Sequence, residues 1–283
     1  MNISSQQRNS SAAPKRSSIL RSNPVMRRLD KVTEYTESNS ATYGGITFKT
    51  VLFLLFTIGG IAIELFVAKF LQTGDILHMN IRGFEFDMYK TEAFVILGVV
   101  IAAVVFQLLA FFARSTTPVT GALYCITQGY FIAFLVFTVL KGYEYLGALA
   151  LAITMLIILV MAILYSTGVI RVTKKFRMIL FTLIITSVIA SLLLLVASFI
   201  PATQPLVASL RSNMWLSIGV SVVFIIIAAL FLICDFDTID HVVNDKLPKK
   251  YEWTAAFGLA FTVIWLYLKV LDLIMTIAGN NKK

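Results

Sequence analysis

Asp235, Asp237, Asp240 and His241 crowd the end of a long apolar run, and Asp245 follows one helical turn further on. Asp237, His241 and Asp245 are spaced i, i+4, i+8. A helix carried through them stacks acid, imidazole and acid on one face, while Asp235 points elsewhere. Carboxylates attract a hard cation such as calcium, and histidine ordinarily titrates between about pH 5 and 8. The pattern suits a proton-sensitive cation site with transient calcium at Asp237 and with Asp235, His241 and Asp245 as its sensor. The plain alternative is a solvated helix end. No H-E-x-x-H, glycine-bracketed nucleophilic serine or P-loop occurs, so enzymatic chemistry and a bound cofactor are not expected.

A second set of charges lies inside apolar runs, where each costs about 2.5–3.5 kcal/mol to insert and therefore needs a partner or a task. Glu64 sits deep in the first run; Lys269 and Asp272 sit in the last, three apart and on one helix face. Counted from the same side of the bilayer at 1.5 Å per residue, Glu64 and Lys269 reach one depth, about 23 Å up. They are expected to pair, with Asp272 as the rival partner for Lys269. Gln107 and Gln128 read as amides that join helices.

The elements that carry these residues are membrane spans. Hydrophobic residues make up 58% of the 283 and charged residues 14%, against about a quarter charged in a soluble domain. Seven apolar runs appear near 47–71, 92–113, 118–140, 147–167, 177–200, 214–236 and 254–278. Each is close to the ~20 residues a spanning helix requires. Residues 1–43, rich in Ser, Asn, Gln and basic residues, read as a disordered cytoplasmic tail rather than a secretory signal. Residues 44–283 then form an all-α domain of seven transmembrane helices. Most of the 24 Lys and Arg fall in the tail and in the even-numbered connections, which places the amino terminus in the cytoplasm. The net charge of +9 is explained by that topology and by anionic lipid, not by nucleic acid. Cys125 and Cys234 both fall within apolar runs and read as small hydrophobes.

Several stretches together resemble the Bax inhibitor family (transmembrane Bax inhibitor motif proteins) in its bacterial branch. They are Asn23-Pro24-Val25-Met26-Arg27-Arg28-Leu29, Ala41-Thr42-Tyr43-Gly44-Gly45-Ile46 and Tyr165-Ser166-Thr167-Gly168-Val169-Ile170-Arg171-Val172-Thr173. Asp235-Phe236-Asp237-Thr238-Ile239-Asp240, Lys249-Lys250-Tyr251-Glu252-Trp253 and Trp265-Leu266-Tyr267-Leu268 complete the set. The resemblance implies a seven-helix fold in a bacterial plasma membrane, with the last helix central. It also implies a pH-sensitive calcium leak gated by acids on the sixth and seventh spans. The sixth-span acid corresponds to Asp237; at the seventh-span position this chain has Lys269, and it has Gln128 where the third span often carries Glu. Two functions stand open. One is a pH-sensitive cation leak, favoured by the retained acids. The other is a non-conducting regulator of a membrane protease or other membrane machinery, favoured by Lys269, whose charge repels calcium in a narrow pore.

Overall fold

Each of the seven apolar runs folds as one helix, because lipid offers no partner for an unpaired backbone amide. The structure, a computed structural model, describes residues 40–113 and 115–280. Its helices are α1 (Tyr43–Val67), α2 (Lys90–Phe112), α3 (Thr117–Ala133), α4 (Tyr145–Ser166), α5 (Lys174–Phe199), α6 (Gln204–Ser212), α7 (Met214–Asn244) and α8 (Lys250–Asn280). All but α6 are long and apolar enough to cross a membrane. α3 continues as a π-helical turn over Phe134–Val139, closed by the Leu140 amide donating to Leu135 O at 3.0 Å.

The last helix is the core element. Buried side chains run along the length of α8, from Glu252 through Phe257, Ile264 and Leu271 to Met275. It packs against α1, α3, α4 and α7, and Phe111 near the end of α2 meets Phe257 and Phe261 edge-on. Ala255, Ala256 and Ala260 let neighbouring backbones approach closely, which is how helices associate where lipid competes equally for apolar surface. α5 lies outside this ring, and Leu180 is its one buried residue among the described side chains.

The helix ends depart from the apolar runs in ways the capping residues explain. Residues 1–39 of the expected tail lie outside the described residues, but its last four residues, 40–43, are structured. Ser40 bridges Pro248, the Ala41 amide donates to Leu247 O at 2.7 Å, and Thr42 Oγ1 accepts from the Gly45 amide at 3.0 Å. That cap starts α1 at Tyr43. α7 runs eight residues past the apolar stretch before Lys246, at φ +49°, turns the chain in a left-handed closure. There the Leu247 amide returns to Val242 O at 3.0 Å.

A β-hairpin, which the expected all-helical chain did not include, joins α1 to α2. β1 (Ile76–Ile81) pairs antiparallel with β2 (Phe84–Tyr89) in a register that sets His78 opposite Asp87. Their side chains meet at 2.5 Å on an exposed face. Arg82 and Gly83 both have positive φ, 54° and 85°, the mark of a two-residue primed turn. Phe84, Phe86 and Met88 alternate with Glu85 and Asp87, and the three apolar side chains are buried. Phe86 meets Phe134 edge-on, and Phe84 meets Tyr143. The tip rests on the end of α8, where a Cβ on Gly83 would come within 2.7 Å of Gly279 O.

The closest helix crossing is between α1 and α3. A Cβ on Gly60 would strike Ile126 O, and one on Gly129 would strike Thr57 O. Gly59, one residue away, has open space around it. Gly60→Ala is therefore expected to destabilise by about 1–3 kcal/mol through overpacking. Gly59→Ala should be neutral or slightly stabilising, since it removes only glycine's backbone freedom. Thermal unfolding of the two variants in detergent checks this, and equal midpoints would refute the close crossing.

Candidate functional site

The acidic cluster lies on the last three turns of α7, at the face of the bundle where α1 begins. Because the helix continues to Asn244, Asp237, His241 and Asp245 do share one face. His241 Nε2 is 3.8 Å from Asp237 Oδ2, and Nδ1 is 3.8 Å from Asp245 Oδ2. These are ion-pair separations for a protonated ring, too long for hydrogen bonds. His241 and Asp245 are both about two-thirds exposed at the side chain.

The structure adds the partners that spacing could not show. Arg177, from the first turn of α5, forms an ion pair and hydrogen bond with Asp237, whose side chain is 18% exposed. Asp240 accepts from Tyr43 Oη at 3.0 Å and from Tyr165 Oη at 2.5 Å. Three helices, α1, α4 and α5, thus converge through single polar contacts on the end of α7. Asp235 points the other way, as its offset predicts, into the seam with α8. There the Thr262 hydroxyl hydrogen-bonds it, and its Oδ1 lies beside Gly258. Its Oδ2 is sealed from solvent and has no hydrogen-bond partner among the described residues. Among the described residues no group of three or more His, Cys, Asp or Glu could hold a metal ion.

The expected pair of Glu64 and Lys269 does not form. Equal depth fixes height, not azimuth. Glu64 lies one turn beyond Gly60, on the α1 face that presses against α3. It is 2% exposed, its Oε2 has no hydrogen-bond partner among the described residues, and it feels the like charge of Glu92 on α2. Lys269 instead faces α7, with Nζ 4.7 Å from the Phe224 ring centre. Asp272, the rival partner, is taken by Arg82 of the hairpin tip at 3.0 Å and by Ser221 Oγ at 3.1 Å. A buried oxygen of Gln128 also lacks a hydrogen-bond partner among the described residues, so there that amide does not fully serve as a helix joint.

The α7–α8 seam therefore has two polar ends with a sealed middle. From Thr262 to Asp272 α8 rises about 15 Å. Along the facing stretches Ile264, Leu266, Val270 and Leu271 of α8 and Ala228, Ala229, Leu232 and Ile233 of α7 are all buried. Cys125 and Cys234 are unpaired thiols.

Residues 23–279 match the protein family described as Bax inhibitor 1 like. The chain belongs to that family. No curated protein matches it. Within the stretch Lys249-Lys250-Tyr251-Glu252-Trp253, the structure gives Glu252 a role that spacing left unread. It is 1% exposed, accepts from the Thr42 amide at 2.8 Å, and forms an ion pair with Lys49. Lys49 also lies 5.1 Å above the Trp253 ring. A buried pair is costly to break from one side, about 3–5 kcal/mol, because the remaining charge has no compensation. Lys49→Met and Glu252→Gln should each lower stability by an amount of that order, and the double variant by clearly less than the sum. Thermal unfolding of all three closes the cycle; strict additivity would show that the two charges are not coupled.

Proposed function

We propose that this seven-helix membrane protein is a pH-sensitive cation leak, described here in its closed form. Its setting on this reading is a bacterial plasma membrane, with the amino terminus and the Asp237 cluster on the cytoplasmic side. It performs no covalent chemistry. The observation that carries the reading is the Oδ2 of Asp235, buried in the α7–α8 seam two residues from Asp237 with no hydrogen-bond partner among the described residues. An ionisable group kept inside a membrane without a full set of partners marks a route for ions or protons. On this reading a hard cation such as calcium meets Asp237 on the α5 side of α7 first and Asp235 in the seam next. The apolar layer between Thr262 and Asp272 is the barrier that must part.

His241 supplies the pH response. With the ring neutral, Arg177 alone holds Asp237 and ties α5 to α7. A protonated ring adds a second cation 3.8 Å from the same carboxylate oxygen, competing with Arg177 and loosening α5. Of the other charged groups at this end, Asp245 also draws the charged ring, Tyr43 and Tyr165 hold Asp240, and Lys49 and Glu252 hold each other. The leak therefore rises when acid protonates the ring. One observation favours the second reading, a regulator that binds a membrane protease or other machinery and conducts nothing. Lys269 and Arg82 stand at the other end of the seam against a single acid, Asp272, and so repel a divalent cation.

Calcium flux into proteoliposomes between pH 5 and 8 decides between them. Wild type should leak several-fold more at the acid end, on the order of the factor expected when a contact of about 1 kcal/mol is lost. His241→Gln should flatten the response, Arg177→Gln should leak at every pH, and Asp235→Asn should reduce flux throughout. A wild type that never exceeds protein-free vesicles rejects the leak and leaves the regulator.

A further inference from the structure

At the hairpin face a cavity of about 800 Å³ opens between the hairpin tip, α5, α6, the start of α7 and the end of α8. Its polar pole is built by Arg82, Asp272, Ser221 and Lys269. Asp272 is already committed twice, to Arg82 through Nε and NH2 at 3.1 and 3.2 Å and to the Ser221 hydroxyl at 3.1 Å. Lys269, inside the span, has no carboxylate within ion-pair distance among the described residues and rests on the Phe224 ring. The pole therefore holds two cations against one anion. A cation left in that state within a membrane is costly unless another anion joins it.

The rest of the lining says what carries that anion. Leu194 of α5 and Leu216 and Val220 of α7 line the cavity, yet each is also 42–47% exposed on the bundle's surface. In a membrane that exposed surface meets hydrocarbon. The cavity thus has a charged floor and a side wall continuous with lipid, and its volume is that of a small-molecule site. A soluble anion would satisfy the floor and leave the wall uncovered; an acyl chain covers the wall.

We propose that this cavity is a binding site for an anionic phospholipid, its phosphate on Lys269 and its chain along Leu194, Leu216 and Val220. Charge complementarity selects the headgroup, since phosphate is the anion that a lone ammonium holds as a point charge. The apolar side wall selects a lipid over free phosphate. This assignment is independent of whether the protein conducts.

The test measures lipid retained by the purified full chain after detergent exchange, by native mass spectrometry. Thermal unfolding with added phosphatidylglycerol, phosphatidylcholine or glycerol phosphate runs beside it. Wild type should retain phosphatidylglycerol and be stabilised by it by a few degrees, and by phosphatidylcholine much less. Lys269→Gln should lose the retained lipid about tenfold, Lys269→Arg should keep it, and Val220→Trp should lose it by filling the wall with Lys269 intact. Lys249→Gln, a surface charge at the other face, should change nothing. The proposal is overturned if Lys269→Gln retains as much lipid as wild type, or if Lys249→Gln loses as much as Lys269→Gln. It is also overturned if glycerol phosphate stabilises the protein as well as the lipid does.

Discussion

Everything in this bundle depends on holding α8 upright at its centre, and the contact that does so first is the buried Glu252 carboxylate. It takes the Thr42 amide, the Thr42 hydroxyl and the Lys49 ammonium, all from the start of α1. Gly45 has no side chain because a Cβ there would lie 2.5 Å from the Glu252 oxygens. The far end of α8 is pinned by the same device in a wetter setting, Arg82 of the hairpin on Asp272. Between the two clamps α8 carries apolar and small residues that bury against four neighbours. Lipid is as apolar as those side chains, so packing alone gives α8 no strong reason to be central. The charged clamps at its ends give that reason.

Legibility in the sequence followed the physics of each feature. Seven spans were readable because insertion into hydrocarbon imposes length and apolarity on every segment. The stacking of Asp237, His241 and Asp245 was readable because helical periodicity acts within one element. Partners across elements were not. Glu64 and Lys269 share a depth, but the Gly60 crossing turns Glu64 toward α3, and nothing local to either residue encodes that rotation. Arg177 illustrates the same limit from the other side: it sits in a basic loop cluster that reads as a topology signal, and one of its members turns out to hold Asp237. The hairpin did leave a trace in the alternation of Phe84, Phe86 and Met88 with Glu85 and Asp87. That trace spans only six residues beside a flanking helix and is weak by itself.

The unequal attachment of the helices bears on how such a bundle could move. α1, α3 and α8 are locked by glycine crossings and by the Glu252 clamp, so a displacement there must break several close contacts at once. α5 is held differently: Leu180 is its one buried residue among the described side chains, and its described ionic tie is Arg177 on Asp237. An interior that is close-packed shifts between discrete arrangements and does not deform smoothly. The part able to shift at low cost is the part with few contacts to lose. α5 meets that condition while the core keeps its packing.

The same helix touches both polar ends of the seam. Near its start Arg177 neutralises Asp237; near its end Leu194 walls the cavity above Lys269. A change of charge at His241 that releases α5 from Asp237 would also alter the wall of that cavity, because a helix of 26 residues moves largely as one rod. The acids on α7 need not reach Lys269 for the two ends to influence one another. A rigid, weakly held neighbour spanning both is sufficient.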